Sequence, residues 1–311
     1  MDERFLVTGS GGCIGAWVVA QLVAEGTEVV ALDASDDDHR LRLLLAGDEL
    51  DAPARVRGDI TDLEALERVL DEQRITHAVH LAALQVPFCR ADPPLGARVN
   101  VVGTVNVFEA VARRRDRMAG PVVYASSIAA YDALDEGEDH TAMEGAPSTI
   151  YGVYKRANEG TATVYAAERD VPSVGLRPHT VYGPGRDQGL TSAPTVAMLH
   201  AAAGRRYTIP FGGSYQMQYA PDVAAAFVAA ARRQQAGAVV EDLGGPTVST
   251  DEVIEAIAAV APDAEIDFEP VALPFPSATG SPAGGTSLRD GVADTFTRFR
   301  TLLERGLVTL P

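Results

Sequence analysis

The fold is decided near the N-terminus by the stretch Phe5-Leu6-Val7-Thr8-Gly9-Ser10-Gly11-Gly12-Cys13-Ile14-Gly15. Its apolar start predicts a buried strand, and the residues that follow it carry apolar side chains at helical spacing. Three of its glycines are spaced three residues apart. Gly9 permits a tight turn, Gly12 permits a close approach of the backbone to a pyrophosphate, and Gly15 permits close packing of the helix on the strand. We therefore predict a phosphate-binding loop with contacts from Gly9, Gly12, Cys13, Ile14 and Gly15.

Short apolar runs and helical patterns alternate through the first half of the chain. Strands are predicted at 5–8, 28–32, 55–57, 77–81, 122–125, 173–176 and 238–242. Helices are predicted at 14–25, 63–73, 96–115, 193–203, 221–233, 251–261 and 288–304. Strands that alternate with helices predict βαβ units and a parallel sheet covered on both faces. We expect an α/β fold with its nucleotide-binding sheet mainly in residues 1–175, to which later segments return, and a smaller substrate-binding region mainly in residues 176–311.

Asp33 ends the second predicted strand, 18 residues after Gly15. An acid at about this distance binds the hydroxyls of the adenosine ribose in dinucleotide-binding folds. A carboxylate in this position would repel a 2′-phosphate, and the sequence therefore predicts NAD rather than NADP as the bound dinucleotide.

A second acid, Asp59, follows the third predicted strand together with Ile60. Asp59 is placed to bond the adenine amino group, and Ile60 to pack on the adenine ring. The alternative for Asp59 is to cap the helix predicted to begin near residue 63, although Thr61 or Asp62 could serve as that cap instead. We expect the cofactor role for both residues.

A phenol and an ammonium group stand four residues apart in Tyr151-Gly152-Val153-Tyr154-Lys155. On a helix the two side chains lie on one face. Because a nearby cation stabilises a phenolate, we expect the pKa of Tyr151 to lie below its usual value of about 10. Such a tyrosine can exchange a proton with a secondary alcohol while a hydride moves to or from nicotinamide. Lys155 is the single lysine among 26 basic residues, which weighs against a chance pair.

Two serines, Ser126 and Ser127, follow the predicted strand 122–125. The carboxyl end of a parallel strand opens onto the ligand crevice. A hydroxyl there could hold the substrate oxygen beside the phenol of Tyr151. The alternative for either serine is to cap a turn or helix.

Together these residues resemble the extended short-chain dehydrogenase/reductase family, which includes the nucleotide-sugar epimerases and dehydratases. The resemblance covers most of the chain and rests on an ordered set of motifs. They are Thr8-Gly9-Ser10-Gly11-Gly12-Cys13-Ile14-Gly15, Asp33, Asp59, His80-Leu81-Ala82-Ala83, Asn100-Val101-Val102-Gly103-Thr104, Ser126-Ser127, Tyr151-Gly152-Val153-Tyr154-Lys155, Leu176-Arg177-Pro178 and Val181-Tyr182-Gly183-Pro184-Gly185. The resemblance implies a Rossmann fold, a doubly wound parallel sheet with a smaller C-terminal substrate-binding part, and bound NAD.

The resemblance also implies roles for single residues. It selects Ser127 as the catalytic hydroxyl, Tyr151 as the acid and base, and Lys155 as the residue that lowers the pKa of Tyr151 and bonds the nicotinamide ribose. The dinucleotide path would be lined by Leu81, Ala82 and Ala83, supported by Asn100, and reached at the nicotinamide end by Pro178 and Val181.

Departures from the family's pattern bear on the reaction and the substrate. Ile128-Ala129 stands where dehydratases place Asp-Glu, so dehydration is disfavoured. Thr180 replaces an Asn that is usual in UDP-sugar enzymes, and Tyr215-Gln216-Met217-Gln218-Tyr219 lacks the Arg that binds the sugar-nucleotide diphosphate. The stretch between Pro276 and Arg289 contains no base either. A diphosphate buried without cations would be poorly compensated.

We therefore expect an NAD-dependent oxidoreductase that takes a hydride from a secondary hydroxyl of a free sugar, a sugar acid or a polyol. The alternative is a UDP-sugar 4-epimerase with tightly bound NAD, which would share the fold, the cofactor and the triad. A non-catalytic NAD sensor is a weaker hypothesis, because it would not need all three triad residues. Candidate substrate contacts are Gln85, Ser127, His179, Thr180, Arg186 and Ser192.

Composition bears on which other ligands and which cellular location the protein can have. Acids outnumber bases by 43 to 26, and the formal net charge of −17 disfavours binding to nucleic acids and anionic membranes. The two cysteines, Cys13 and Cys89, lie far apart and indicate neither a disulfide framework nor a zinc site, so no metal is expected. No signal-peptide pattern occurs at the N-terminus, and no apolar run approaches the roughly 20 residues that a bilayer span needs. We expect a cytoplasmic homodimer formed through helices 96–115 and 151–169.

Overall fold

The computed structural model describes residues 2–131, 147–273, 277–279 and 285–310. Its strands are β1 (Arg4–Thr8), β2 (Glu28–Asp33), β3 (Ala54–Arg57), β4 (His77–His80), β5 (Val122–Ala125), β6 (Ser173–Arg177), β7 (Thr180–Tyr182), β8 (Tyr207–Ile209), β9 (Ser214–Tyr219), β10 (Ala238–Asp242), β11 (Thr247–Ser249) and β12 (Ile266–Phe268). A seven-stranded sheet has the order β10-β6-β5-β4-β1-β2-β3, and its pairings are parallel. The order reverses between β1 and β4, where a doubly wound sheet opens a crevice for a dinucleotide.

The helices of the described residues are α1 (Cys13–Ala24), α2 (His39–Leu44), α3 (Asp48–Asp51), α4 (Leu63–Glu72), α5 (Val86–Ala91), α6 (Pro93–Ala97), α7 (Gly103–Ala112), α8 (Ile150–Arg169), α9 (Ala193–Ala202), α10 (Ala220–Arg232), α11 (Thr250–Val260) and α12 (Leu288–Glu304). A π-helical turn, Arg98–Val102, joins α6 to α7. Turns of 3-10 helix occur at Arg115–Arg117, Ile128–Ala130 and Leu190–Ser192.

Two apolar cores cover the faces of the large sheet. Side chains alternate along a strand, and β1 shows the result: Phe5 and Val7 face one core, while Leu6 faces the other. The first core includes Phe227 of α10, and the second includes Phe108 of α7, both fully buried. Burial of both faces holds the carboxyl ends of the strands, and the loops that follow them, in a fixed frame.

A third core lies in the C-terminal half. It is built from α9, α11, α12 and β9, and it contains Tyr215, Met217 and Tyr219. Strand β9 lies between β11 and β7 in a three-stranded sheet. The intervening residues of β9, Gln216 and Gln218, are also buried but point to the opposite face of the strand.

The predicted fold class is confirmed, and the strands of the seven-stranded sheet lie where they were predicted. The strands of the smaller sheets, β7, β8, β9, β11 and β12, were not predicted. Four of them have only three residues, and the six-residue β9 carries buried glutamines at alternate positions, which hide its burial from the apolar pattern. The single helix predicted at 96–115 is wrong in detail. The helical segment begins at Pro93, passes through the π turn and ends at Ala112.

Two kinds of feature are not found in the part of the chain that the structure describes. No helix there has both the length and the apolar character that crossing a membrane requires. No group of three or more His, Cys, Asp or Glu side chains there is arranged to hold a metal ion.

Candidate active site

The phosphate-binding loop joins β1 to α1 and is packed too closely to admit side chains. Gly9 has φ +71°, and a Cβ on it would lie 2.5 Å from the backbone nitrogen of Ala82. A Cβ on Gly15 would overlap the carbonyl oxygen of Gly9. Gly12 is the N-cap of α1 and brings no side chain to the helix terminus. The first N–H groups of α1 can therefore receive an anion such as a pyrophosphate.

Asp33 lies at the end of β2, beside this loop. Its carboxylate accepts hydrogen bonds from the backbone N–H of Gly11 at 2.9 Å and of Ser35 at 3.1 Å. Asp33 also lines a cavity of about 250 Å³ whose walls include Leu41 and Val56. These bonds hold the carboxylate against the glycine loop, in the arrangement that we expect for a group that binds the ribose.

Asp59 and Ile60 follow β3 and differ in exposure. Asp59 is exposed and accepts a hydrogen bond from the Thr61 N–H at 2.8 Å. Asp62 provides the N-cap of α4, so the capping alternative for Asp59 is not needed. The Ile60 side chain is 4% exposed, and a Cβ on Gly103 of α7 would lie 2.5 Å from Ile60 Cδ1. Ile60 thus packs in the core between the sheet and α7, and its contact with adenine stays a prediction.

The segment after β4 forms a wall beside the glycine loop. The Leu81 N–H donates to the Thr8 carbonyl oxygen at 3.0 Å. His80 hydrogen-bonds the Thr8 hydroxyl through Nδ1 at 2.7 Å and the Thr104 hydroxyl through Nε2 at 3.0 Å. Burial lowers the pKa of His80 to about 3, so the ring is neutral. This network fixes residues 81–83 next to the loop.

Asn100 lies in the π turn and is almost completely buried. Its side-chain amide accepts from the Leu84 N–H at 2.7 Å and donates to the Leu84 carbonyl at 2.9 Å. Its backbone carbonyl accepts from the Asn158 side chain at 2.9 Å and from the Thr104 hydroxyl at 2.7 Å. A π turn changes the usual helical bonding, as often occurs at functional sites. Asn100 thereby ties the segment after β4 to α8.

Ser127, Tyr151 and Lys155 come together where β5 ends and α8 begins. Ser127 lies close enough to the Tyr151 phenol to lower its pKa. Lys155 Nζ donates to the carbonyl oxygen of Ala125 at 2.7 Å and lies 5.5 Å from the centre of the Tyr151 ring. Ser127 Oγ also accepts from the Ala129 N–H at 3.1 Å, so this serine caps a turn as well. The three polar groups are thus positioned by backbone that is itself anchored in the sheet.

The predicted lowering of the Tyr151 pKa is wrong. Burial raises the pKa of Tyr151 to about 12, and Ser127 and the charge of Arg186 offset this only in part. Burial also lowers the pKa of Lys155 to about 8. Exclusion of water disfavours both charged forms, and this cost exceeds the stabilisation that each group receives from its neighbours.

A buried ion-pair network, which the sequence reasoning missed, joins the elements that carry the triad. Glu159 of α8 accepts two hydrogen bonds from Arg177 of β6, each at 2.8 Å. It also accepts a bond from the hydroxyl of Ser126. Glu159 therefore acts as a positioning residue for the end of β5. Its spacing of four residues from Lys155, on the face that also carries Tyr151, is the signal that could have revealed it.

Pro178 and His179 connect β6 to β7, Thr180 and Val181 begin β7, and all four are buried. The Ile128 N–H donates to the Pro178 carbonyl at 3.3 Å, which brings this segment against the turn after Ser127. His179 Nδ1 hydrogen-bonds the Thr180 hydroxyl at 3.2 Å. The structure thus brings the segment predicted to reach the nicotinamide next to the triad.

Two glutamines occupy β9 where the resemblance led us to look for an arginine. Gln216 accepts from the Thr279 N–H at 3.1 Å and donates to the Gly245 carbonyl at 3.4 Å. Gln218 accepts from the His179 N–H at 2.8 Å and donates to the carbonyl of Leu243. Both amides are neutral and bonded to backbone groups.

The loop 183–191 is fastened to the NAD-binding region. Trp17 Nε1 donates to the Pro184 carbonyl at 2.9 Å. Arg40 donates to the Gly185 carbonyl at 3.0 Å and to the Gly11 carbonyl at 2.8 Å. Arg40 therefore links the phosphate-binding loop to loop 183–191. The sequence reasoning did not find this role, because the partners of Arg40 are backbone atoms distant along the chain.

Loop 183–191 brings Arg186 and Gln85 together. Arg186 Nη2 donates to the Thr191 hydroxyl at 2.8 Å. A Cβ on Gly189 would lie 3.2 Å from Gln85 Oε1 and 3.9 Å from Arg186 Nη2, so both side chains border the same space. Ser192 is buried, and its hydroxyl donates to the Gly189 carbonyl at 2.7 Å. Ser192 thus closes the loop, and its predicted contact with substrate stays a prediction.

Comparison with known sequences shows a family with the same motifs. The NAD dependent epimerase/dehydratase family matches residues 5–243. A UDP-glucose 4-epimerase of Mycolicibacterium smegmatis is 35% identical over 280 residues, which make up 86% of this chain and 86% of that protein. UDP-glucuronate 4-epimerase 2 of Arabidopsis thaliana is 32% identical over 187 residues, 58% of this chain and 42% of that protein.

Solved structures share the fold over nearly the whole chain. The UDP-glucose 4-epimerase of Thermus thermophilus, in complex with NAD, has a TM-score of 0.76 and 28% identity, covering 96% of this chain and 99% of that one. The L-threonine dehydrogenase of Clostridium difficile has a TM-score of 0.81 at 19% identity, covering 99% of each chain, and shows the fold alone. A Cβ at Gly9 would clash with the backbone of Ala82, and a Cβ at Gly15 with the carbonyl of Gly9, so the loop keeps the tight glycine turn that fits a dinucleotide pyrophosphate. The chain therefore belongs to the NAD-dependent epimerase/dehydratase family of extended short-chain dehydrogenases/reductases, and its cofactor is NAD.

Proposed function

We propose that this enzyme oxidises a secondary hydroxyl of a small carbohydrate-like substrate, a free sugar, a sugar acid or a polyol, and passes the hydride to NAD. The observation that carries the proposal is the pair of neutral amides on β9, Gln216 and Gln218. A nucleotide sugar brings a diphosphate, which needs cations when it is buried. Both amides are instead bonded to backbone groups of the surrounding segments.

Substrate binding is assigned mainly to residues 176–311, with residues 1–175 holding the dinucleotide. The NAD-binding part contributes Gln85 and Ser127 to the substrate site. Proposed substrate contacts are Gln85, Ser127, His179, Thr180, Arg186 and Ser192. The convergence of Gln85 and Arg186 above Gly189 supports a site formed jointly by the two parts.

The triad supplies the proton chemistry of this reaction. Bound NAD provides the acceptor for the hydride. Ser127 holds the substrate oxygen, and the phenolate of Tyr151 takes the hydroxyl proton as the hydride leaves the adjacent carbon. Lys155, fixed on the Ala125 carbonyl, adds positive charge beside the phenol. Because burial raises the pKa of Tyr151 to about 12, the phenolate is the scarce form, and oxidation speeds up as the pH rises.

The relatives favour a second candidate, a UDP-sugar 4-epimerase. The Mycolicibacterium smegmatis protein is a UDP-glucose 4-epimerase and is 35% identical to this chain. In such a reaction the same triad would remove the hydride and allow its return to the opposite face of the sugar, with NAD retained throughout. The diphosphate would then have to be neutralised by a cation outside β9, such as Arg186.

Absorbance of NADH separates the two candidates. The purified enzyme is incubated with NAD and with free sugars, their acids and polyols, and separately with UDP-glucose and UDP-galactose. The proposal predicts sustained NADH release with a compound of the first group and none with Tyr151→Phe. Interconversion of UDP-glucose and UDP-galactose without net NADH would contradict it and establish the second candidate.

We further propose a homodimer formed through the helical faces of α6, α7 and α8. Four apolar side chains on these helices and on the adjoining π turn, Leu95, Val102, Val153 and Val164, are between 41% and 51% exposed. The sedimentation coefficient should fall to that of a monomer in Val164→Glu and stay unchanged in Val271→Glu, an exposed valine outside these helices. A monomeric wild type would contradict the proposal.

The cytoplasmic location expected from the sequence stays a prediction.

A further inference from the structure

Gly11, in the middle of the phosphate-binding loop, is held through both of its backbone groups. Its N–H donates to the Asp33 carboxylate at 2.9 Å, and its carbonyl oxygen accepts from Arg40 Nη1 at 2.8 Å. A Cβ on Gly11 would lie 3.2 Å from Asp33 Oδ2 and 3.3 Å from the carbonyl oxygen of Asp37, so its surroundings are tightly packed. The phosphate-binding loop is therefore tied to the end of β2 and to the start of α2.

The same guanidinium of Arg40 reaches loop 183–191. Its Nε donates to the Gly185 carbonyl at 3.0 Å and lies 3.2 Å from Asp187 Oδ2, while its Nη2 donates to Asp187 Oδ1 at 2.6 Å. The Arg40 side chain is only 12% exposed. Paired donors on the two oxygens of one carboxylate fix the orientation of a guanidinium, which a lysine cannot reproduce. Arg40 thus joins two loops that are distant in the chain through a nearly buried contact.

Loop 183–191 lies close both to the start of α1 and to the triad. Burial raises the pKa of Cys13, the first residue of α1, to about 11, and the charges of Arg186 and Arg40 oppose this rise. The charge of Arg186 acts in the same direction on the pKa of Tyr151. Because coulombic interactions weaken with distance, both effects place the loop beside the region where NAD and the substrate are expected to meet.

We propose that Arg40 is a positioning residue that holds loop 183–191 at a fixed distance from the phosphate-binding loop. The phosphate-binding loop sets the position of NAD, and loop 183–191 contributes to the substrate side of the cleft. A shift of about 1 Å between reacting groups can lower a rate by about 100-fold. Both candidate reactions require the substrate carbon to lie beside the nicotinamide, so the inference does not depend on which of them the enzyme catalyses.

Trp17, the single tryptophan of the chain, reports the position of loop 183–191. Its Nε1 donates to the Pro184 carbonyl at 2.9 Å, and the residue is 7% exposed. Cζ of Arg298 on α12 lies 5.3 Å from the centre of the indole ring. Displacement of the loop would break the bond to Pro184 and admit water, and the emission of Trp17 would move to longer wavelength. This readout needs no substrate.

The test breaks the contact from its two ends, with Arg40→Gln and with Asp187→Ala. In both variants the emission of Trp17 should move to longer wavelength, and kcat for the compound that the enzyme converts should fall by about 10- to 100-fold. NAD affinity, measured by calorimetry, should change by less than about threefold in Asp187→Ala, because Gly11 keeps both of its bonds. A fall in kcat without a fall in NAD affinity separates positioning of the loop from damage to the cofactor site.

Arg42→Gln is the matched control on the same helix. Arg42 pairs with Asp38 at 2.7 Å, and Asp38 keeps its second partner, Arg55, in the variant. Emission, kcat and NAD affinity should all stay at the wild-type values. Melting curves of each variant check that it folds.

Two further variants test whether Arg40 acts through Asp187. Arg40→Lys keeps the charge without the paired donors and should recover only part of kcat. The double variant Arg40→Gln with Asp187→Ala should lose little more kcat than the more impaired single variant, because residues in direct contact have non-additive effects. Losses that multiply in the double variant would show that the two residues act independently and would overturn the proposal.

Three other outcomes would overturn the positioning role. Wild-type kcat in Arg40→Gln and Asp187→Ala would show that the contact does not bear on the reaction. A lower kcat with unchanged emission of Trp17 would assign Arg40 to the Gly11 carbonyl alone. Where Arg40→Gln does not fold, Asp187→Ala, on the exposed side of the contact, decides the same points. Failure to oxidise any free sugar, acid or polyol would overturn the proposed function instead, and unchanged emission of Trp17 would separately overturn the positioning role.

Discussion

The two sides of the active-site cleft are built in different ways. On the cofactor side, backbone atoms dominate: the loop of Gly9 and Gly15 admits no Cβ, and Asp33 is held by the N–H groups of the loop. On the substrate side, side chains dominate, and segments far apart in the chain bring Gln85 and Arg186 together. A site formed by backbone atoms tolerates few substitutions and fits one ligand shape. A site formed by side chains can bind a different ligand after a single substitution.

This contrast explains why relatives of one fold can act on different molecules. The epimerases and the threonine dehydrogenase that resemble this chain share its sheet. We propose that the chemistry common to the family depends on the cofactor side of the cleft and on Ser127, Tyr151 and Lys155. We propose that the choice of substrate belongs to β9 and loop 183–191, where the amides of Gln216 and Gln218 bring no charge.

Tyr151→Phe should have the largest effect, because it removes the proton acceptor without altering either wall of the cleft. We expect turnover to fall by about 10²–10⁴-fold, the usual contribution of a positioned acid or base. NAD affinity should change little. Tyr154→Phe is the matched control, since its hydroxyl donates to the Pro93 carbonyl rather than to the site. Comparable losses in both variants would show that the phenol of Tyr151 has no special role.

Glu159→Gln should have the next largest effect, because Glu159 joins α8 to β6 through Arg177 and to the end of β5 through Ser126. Burial would lower the pKa of Arg177, but its bonds to Glu159 raise it well above its usual value. Breaking a buried ion pair costs about 3–5 kcal/mol of stability. Chemical denaturation should show this loss, whereas Glu265→Gln, in an exposed pair with Arg206, should cost less than about 1 kcal/mol. A small loss of stability in Glu159→Gln would contradict the positioning role of Glu159.

Gly15→Ala should damage the cofactor side specifically. The added methyl group would overlap the Gly9 carbonyl, and overpacking of this kind costs about 1–3 kcal/mol. NAD binding, measured by calorimetry, should weaken by at least about tenfold, because the loop must shift. Gly160→Ala makes the same change in the interior of α8, where nothing lies within 4 Å, and should stabilise the fold slightly. Unchanged NAD binding in Gly15→Ala would contradict a backbone-built site.

Asp33→Asn should have the smallest effect, since it removes one charge and keeps the size of the side chain. The asparagine oxygen can accept from only one of the two N–H groups, of Gly11 and Ser35, which donate to separate oxygens of the carboxylate. Loss of the carboxylate removes repulsion of a 2′-phosphate. Affinity for NADP relative to NAD, measured by calorimetry, should rise by roughly tenfold. Asp48→Asn, an exposed acid on α3, controls for the change in net charge. An unchanged ratio of the NADP and NAD affinities would show that a group other than Asp33 discriminates against the 2′-phosphate.

The cofactor side could be predicted from the sequence because its determinants are local. Gly9 to Gly15 form one contiguous stretch, and Asp33 follows at a spacing set by a single βαβ unit. The pairing of Glu159 with Arg177, and of Arg40 with Gly11 and Gly185, depends on tertiary packing that no short motif encodes.

The pKa of Tyr151 was beyond sequence reasoning for a related physical reason. The spacing to Lys155 indicates a favourable charge interaction, but the sequence does not state how much water is excluded. Desolvation decides the direction of the pKa shift, and burial raises the pKa of Tyr151 to about 12. The enclosure of Arg186 Nε, which has no hydrogen-bond partner among the described residues, likewise becomes visible only when its neighbours in space are known.

The central claim is that the substrate side of the cleft is not built for a diphosphate, and titration of UDP into the NAD-bound enzyme tests it most directly. Isothermal calorimetry should show no saturable binding of UDP up to millimolar concentrations, because Gln216 and Gln218 offer no cation. Micromolar binding of UDP that UDP-glucose displaces would contradict the claim and assign the enzyme to nucleotide-sugar chemistry.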